Sequence, residues 1–406
     1  MNAAFNRRAL LGGAGAMAAA LSAGAANARI LPRDMDPLIG PGYRAVDQDE
    51  KGLWLLMERV EEEVSGSNLM IQDEGLKRYL GNLIGNVGGP AARDMRIYLA
   101  RIPEFNAMMF PTGFTVVFSG LLLRMRNEAQ LAGVIAHESA HFLRKHQIRQ
   151  WRDMRLKTDI FSILAMGAGV AGGAAGIYTG DLAQLAQLGT ILSLLKYSRT
   201  LESEADAMGL KLIAEAGLRP MAMSETWDQL IGELDASAYY RRRRRERRIN
   251  LFETHPSPDA RRAELRLSAA EVTVPGKVYD DGRARYLQAI GPLRPMLLDD
   301  QVKLNDPGAS HYIINNLAHD GWNGILRFYE AEIWRLRSRG GDDFYAAQGY
   351  AAAVQYPDAP PDAWRWHGVM LQKSGRIPEA RNAYGRYLAM APNAPDAPFI
   401  RQQLQQ

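Results

Sequence analysis

Leu131-Ala132-Gly133-Val134-Ile135-Ala136-His137-Glu138-Ser139-Ala140-His141-Phe142-Leu143 is the stretch on which the fold turns. Its centre reads H-E-x-x-H. On a helix, positions four apart share a face, so the imidazoles of His137 and His141 can meet one metal ion. Glu138 stands beside them, where it can take a proton from a water on that metal. Two histidine ligands and a glutamate base are the requirements of zinc-assisted peptide hydrolysis. Glu128, Leu131, Val134 and Ile135 fall at helical spacing, and no proline or glycine follows Gly133 in the run. A bare pentad also arises by chance on a solvated helix face, so its neighbours carry the decision.

The next chemistry-bearing stretch is Tyr197-Ser198-Arg199-Thr200-Leu201-Glu202-Ser203-Glu204-Ala205-Asp206-Ala207-Met208-Gly209. Glu202 and Asp206 lie four apart in a helix-forming run. One carboxylate can complete the metal's protein ligands. The other can accept the free N–H of a ligand histidine and so fix its tautomer. Three protein ligands leave a fourth position for water, as a catalytic zinc requires. Alone, the acidic run would be a solvated helix face; beside an H-E-x-x-H it reads as part of a site.

The pentad followed by E-x-E-A-D-x-x-G resembles metallopeptidase family 48, which includes the CAAX prenyl protease and periplasmic proteases of the BepA type. Two further stretches carry the resemblance. Asn106-Ala107-Met108-Met109-Phe110-Pro111-Thr112-Gly113 is similar to the strand and turn that precede the family's metal helix, with Thr112 where glycine is usual. Thr254-His255-Pro256, followed by Arg261, is similar to a segment of the BepA-type members. The resemblance spans about residues 45–270. It implies a zincin-like domain in which His137, His141 and Glu202 hold zinc, Glu138 is the base and Asp206 orients a ligand histidine. It also implies that His255 is a fourth ligand or gate on the zinc. Arg261 is the candidate for stabilising the developing oxyanion. His146, five residues past His141, is off the i+4 face and is not expected to bind metal.

The rest of the chain frames that site. Its 406 residues are 47% hydrophobic and 23% charged, a globular composition long enough for two domains. A formal charge of +4 is too small to imply nucleic acid. The absence of cysteine excludes disulfides, thiolate zinc sites, a cysteine nucleophile and a lipobox-type anchor. Arg7-Arg8, an apolar run to about Ala25 and Ala26-Asn27-Ala28 read as a signal peptide over 1–28, with the arginine pair favouring twin-arginine export to the periplasm. Helices are predicted over Leu53–Val64, Leu76–Val87 and Pro220–Leu234, and strands at Arg96–Ile102, Met108–Phe110 and Phe114–Phe118. An edge strand beside the metal would bind extended substrate by strand addition. The Gly/Ala-rich run 159–179 reads as a hairpin over the active site that touches the membrane peripherally, with a core hairpin or a true span as alternatives. The basic run from Arg241 to Arg248 reads as a solvated face.

Past Val272 the composition changes. Trp364, Gly368, Ala380, Tyr384 and Pro392 fall at tetratricopeptide positions, and Ala346 and Tyr350 precede Ala380 and Tyr384 by one 34-residue period. The expected architecture is therefore mainly α with a small β-sheet: a zinc metallopeptidase domain over 29–271, then an all-α tetratricopeptide-like domain over 284–406. The function that follows is a zinc-dependent metalloendopeptidase of the periplasm. The resemblance adds its substrates, unfolded or misassembled envelope proteins, and a link through the repeats to the outer-membrane assembly machinery. Two rivals stand beside it: a chaperone or scaffold whose site is gated by His255, and a membrane-embedded protease.

Overall fold

Phe114-Thr115-Val116-Val117-Phe118 is apolar and β-branched along its length, and all five residues are buried. Such a run suits the middle of a sheet, where both faces are covered. In the computed structural model, which describes residues 38–155, 197–237 and 258–404, this strand (β3, Phe114–Phe118) is the centre of a three-stranded sheet. β1 (Arg96–Ala100) pairs with it in parallel and β2 (Ala107–Met109) antiparallel, in the order β1-β3-β2. The β2–β3 hairpin turns at Pro111-Thr112-Gly113. The left-handed residue is Gly113, at φ 84°, so Thr112 in the neighbouring place meets no backbone strain. The outer edge of β1 is covered by Leu69–Ile71: Ile71 N donates to Leu99 O at 2.8 Å and Arg101 N to Leu69 O at 2.8 Å.

Before the sheet come α1 (Gln48–Ser65) and α2 (Glu74–Val87). α1 starts five residues ahead of the apolar periodicity, because its first turn is polar and is held by Asp47, whose carboxylate accepts from Glu50 N at 2.9 Å. After the sheet, α3 (Ser119–Arg124) leads to α4 (Glu128–Leu143), capped by the Asn127 side chain accepting from Gln130 N at 3.0 Å. Every residue of α4 except Val134 is buried. A helix covered all round is the central rod of a domain rather than a surface helix.

α4 ends where Lys145 takes φ 54°, and α5 (His146–Arg155) starts in a new direction. α6 (Arg199–Glu215) lies against α4. Their close approach is set by Gly209, where a Cβ would sit 3.1 Å from the His137 backbone nitrogen and 3.3 Å from its Cα. α7 (Ala222–Ala236) and α8 (Pro258–Val272) complete this part.

The remainder is helical: α9 (Arg283–Ile290), α10 (Arg294–Lys303), α11 (Pro307–Leu317), α12 (Gly324–Arg337), α13 (Asp342–Ala353), α14 (Pro361–Lys373), α15 (Ile377–Met390) and α16 (Ala397–Gln403). α12 packs on α13 and α14 on α15 as antiparallel neighbours joined by short turns. Ala346 and Tyr350 on α13, and Ala380 and Tyr384 on α15, are all buried. The apolar core runs without interruption from Ile39 through α4 to Met370. Polar clamps join the helical part to the α4 region: Arg285 Nη2 to Glu128 at 2.6 Å, Arg101 to Asp300 at 2.8 and 2.9 Å, and Arg126 to Asn316 at 2.6 Å. Residues 1–28, 159–179, 241–248 and His255, on which expectations also fell, lie outside the described residues. Among the described residues no helix is long and apolar enough to cross a membrane.

Candidate metal centre and active site

α4 brings His137 and His141 onto one face, and α6 lays Glu202 across from them. The two Nε2 atoms are 3.1 Å apart. Glu202 places Oε2 3.6 Å from His137 Nε2 and Oε1 3.6 Å from His141 Nε2. All three side chains are buried, and one ligand atom from each falls within 4.8 Å of the others. Zinc bonds of about 2.0–2.1 Å at tetrahedral angles put donor atoms about 3.3 Å apart, so this triangle has the right size.

The charge balance points the same way. Arg261, Glu138, Glu202 and Asp206 are all buried, which sets one guanidinium against three carboxylates. The formal deficit of two positive charges is what a divalent cation supplies. Buried charge left uncompensated is costly, so the donor set and the balance both fit zinc.

Asp206, one turn past Glu202, reaches His137: Oδ1 is 2.8 Å from Nδ1. Burial by itself would raise the Asp206 carboxyl, but Arg261 and His137 hold it far below the usual carboxylate range. It therefore stays an anion and accepts the Nδ1 proton, which leaves Nε2 as the ligand nitrogen. Arg261, carried by α8, grips Asp206 with two hydrogen bonds of 3.0 and 2.6 Å and stands 3.2 Å from Glu202 Oε2. Its guanidinium lies over the Trp227 ring, 4.5 Å from the centroid. The carboxylates of Asp206 and Glu202 thus occupy much of its donor face.

Glu138 lines the open cleft. Its Oε2 accepts from Met109 N at 3.2 Å. Gln147 Nε2 donates to Met109 O at 3.0 Å. Both outward backbone groups of Met109 on the β2 edge are therefore engaged, and Ala107, two residues earlier, lines the cleft with Asn106 and Phe105. The cleft continues along His137, Glu138, Val134, Met223 and Trp227. Its walls are mainly apolar, with the Glu138 carboxylate and the His137 corner of the triangle reaching it.

Residues 71–269 match the sequence profile of Peptidase family M48. The chain belongs to Peptidase family M48. It is 28% identical over 220 residues to the beta-barrel assembly-enhancing protease of Escherichia coli (strain K12), across 52% of this chain and 42% of that protein. The Yersinia pestis protein of the same description is 28% identical over 305 residues, 70% of this chain and 59% of its own. The mitochondrial metalloendopeptidase OMA1 of Schizosaccharomyces pombe is 30% identical over 159 residues, 38% of this chain and 43% of its own. The chain spans about half the length of the curated relatives it matches.

Within this family M48 chain the structure brings together His137, Glu138, His141, Glu202, Asp206 and Arg261; His255 lies outside the described residues. His146 is not part of the metal triangle, and its Nδ1 is 2.9 Å from His141 Nδ1. The i+4 argument holds only while one helix continues, and the left-handed Lys145 ends it. No glycine marks that break, so the sequence gives no signal for it. Burial keeps His146 neutral against the pull of Glu204. Tyr197 opens the acidic stretch, and nothing in its sequence setting assigns it a role. Its ring stacks on His141 at 3.8 Å between centroids, and burial together with Glu138 and Glu202 keeps its phenol protonated.

Proposed function

We propose that the protein is a zinc-dependent metalloendopeptidase of the periplasm that cleaves misfolded or stalled envelope proteins, outer-membrane proteins among them. The observation that carries the peptidase chemistry is the buried His137–His141–Glu202 triangle, whose His137 lines an open cleft together with Glu138. A zinc ion held by that triangle would supply Lewis acidity toward the substrate carbonyl and lower the pKa of water. Glu138, fixed by the Met109 amide, takes a proton from the attacking water and hands it to the leaving amine. Asp206 holds the His137 tautomer, and Arg261 holds Asp206. A guanidinium so engaged acts more readily on the carboxylates than on an oxyanion. Ala107 offers the β2 edge to an extended substrate, and backbone pairing of that kind tolerates many sequences.

The periplasmic setting rests on the signal-peptide pattern of residues 1–28 and on the likeness to proteins described as beta-barrel assembly-enhancing proteases. The 34-residue spacing, with the buried Ala346/Tyr350 and Ala380/Tyr384 pairs on successive antiparallel helix pairs, supports tetratricopeptide repeats over 284–406 as the docking site for protein partners. His255 is assigned the role of a gate on the zinc by the resemblance of its segment.

The test is zinc content and casein cleavage by the mature protein, residues 29–406. Glu138→Gln is expected to keep one zinc per chain and lose cleavage by about 10²–10⁴-fold. His255→Ala is expected to keep zinc and cleave faster. Undiminished cleavage by Glu138→Gln overturns the mechanism, and wild-type protein that binds no zinc overturns the whole reading.

A further inference from the structure

The two ligand histidines are not held alike. His137 gives its Nδ1 directly to a carboxylate, Asp206, at 2.8 Å. His141 has Nε2 turned to the triangle, 3.1 Å from His137 Nε2 and 3.6 Å from Glu202 Oε1. A nitrogen that ligates a metal must carry a lone pair, so the proton of a neutral His141 sits on Nδ1. What faces that Nδ1 is a second imidazole: His146 Nδ1 at 2.9 Å. Neither His141 nor His146 is exposed at all. For the contact to be a hydrogen bond, His146 must accept on Nδ1 and keep its own proton on Nε2. That Nε2 stands 3.5 Å from Glu204 Oε2 and makes no hydrogen bond in this structure, so the carboxylate is the acceptor within reach of its proton. Arg144 Nε stands 3.1 Å from Glu204 Oε1 and Arg149 Nη1 4.0 Å from its Oε2, two cations beside that carboxylate.

We propose that His146 and Glu204 are positioning residues of the metal site: a chain Glu204···His146···His141, buried at its two histidines, fixes which nitrogen of His141 faces the metal. His146 is no ligand itself, since its ring meets His141 on the side away from the triangle. Glu204 is the middle acidic residue of the E-x-E-A-D run, so one helix serves both histidines: Glu202 ligates, Glu204 orients His141 through His146, and Asp206 orients His137 directly. Tyr197 closes the face of the His141 ring by stacking at 20° between planes, so rotation away from the chain meets a wall. The left-handed turn at Lys145 is what folds His146 back onto the helix that precedes it.

The inference rests on the zinc reading above, and its test separates the two. Zinc affinity is measured by chelator competition on wild type, His146→Leu and His146→Asn, with thermal melting of the metal-free proteins alongside. Leucine fills the buried space and offers no acceptor, so zinc should bind about 10–100-fold more weakly, the usual range for loss of a group that orients a ligand. The oxygen of an asparagine can stand near the Nδ1 position, so His146→Asn should recover most of that loss. A purely structural histidine would lower metal-free stability in both variants and leave zinc affinity alone. His146→Leu with wild-type zinc affinity, or His146→Asn as weak as His146→Leu, overturns the proposal. Nitrogen-15 NMR of labelled histidines in the zinc-loaded wild type needs no variant. It should report His146 as the neutral Nε2–H form and His141 as Nδ1–H, and a cationic or Nδ1-protonated His146 also overturns it. Wild type without zinc binding would defeat the parent reading instead.

Discussion

Replacing Asp206 by asparagine tests the charge balance of the buried site. Asp206 is buried, accepts from His137 Nδ1 and takes two hydrogen bonds from Arg261. Asparagine keeps an oxygen for the His137 proton and removes one negative charge. In the metal-free protein the excess of carboxylates over guanidinium falls from two to one, which relieves repulsion. With zinc bound, a neutral cluster becomes one charge too positive. The substitution therefore costs more in the loaded state than in the empty one, and zinc affinity must fall. A loss of about 10–100-fold is equivalent to about 1.4–2.7 kcal/mol. The stabilisation that saturating zinc confers shrinks by the same amount. Arg261→Met should do the reverse. It leaves Asp206 and Glu202 facing each other without their cation, which costs the metal-free fold about 3–5 kcal/mol. It also makes the site more negative, so zinc binds at least as tightly as in wild type. The assay is chelator competition for zinc with thermal melting of both proteins, loaded and empty. If both substitutions move zinc affinity in the same direction, or if Asp206→Asn lowers only metal-free stability, the electrostatic account is wrong.

Two further outcomes are expected. Gly209→Val places a branched side chain where a Cβ already lies 3.1 Å from the His137 nitrogen. It should destabilise the fold by about 1–3 kcal/mol and weaken zinc by prying α6 from α4, whereas an equally large effect from Gly85→Val on α2, where nothing lies within 4 Å and the backbone is helical, would show that helix spacing is not the cause. On α13, the Arg337 guanidinium lowers the Asp342 carboxyl from 3.8 to about 2. A depressed carboxyl stabilises the fold above its ordinary value and loses that contribution as pH falls toward about 2. The stability gap between wild type and Asp342→Asn should thus be constant near neutrality and close between about pH 4 and about pH 2, which denaturant titrations across that window would measure.

Much of the metal triangle was legible because its logic is local. The period of a helix sets His137 and His141 on one face whatever surrounds them, and the same period spaces Glu202, Asp206 and Gly209. The hairpin at Pro111–Gly113 was equally readable, since only Gly113 needs a left-handed backbone. The buried groups around the triangle were harder to see. Arg261 comes from a helix 55 residues past Asp206. Glu138 meets Met109 across the sheet edge, so the β2 edge expected to receive substrate is already occupied at Met109 and lines the cleft with Ala107.

The sequence by itself pointed to the candidate ligands and base and to the mainly helical class around a small sheet. Side-chain chemistry and the fixed rise and turn of one helix or strand gave the spacing, and the family resemblance chose Glu202 over Asp206 as the third candidate ligand. Beyond Asp206, tertiary structure alone decided what surrounds those residues. A backbone reversal at Lys145 returned His146 to His141, and long-range packing of α8 delivered Arg261. Neither leaves a periodic trace, because the contacts are made between elements whose mutual placement depends on the whole core.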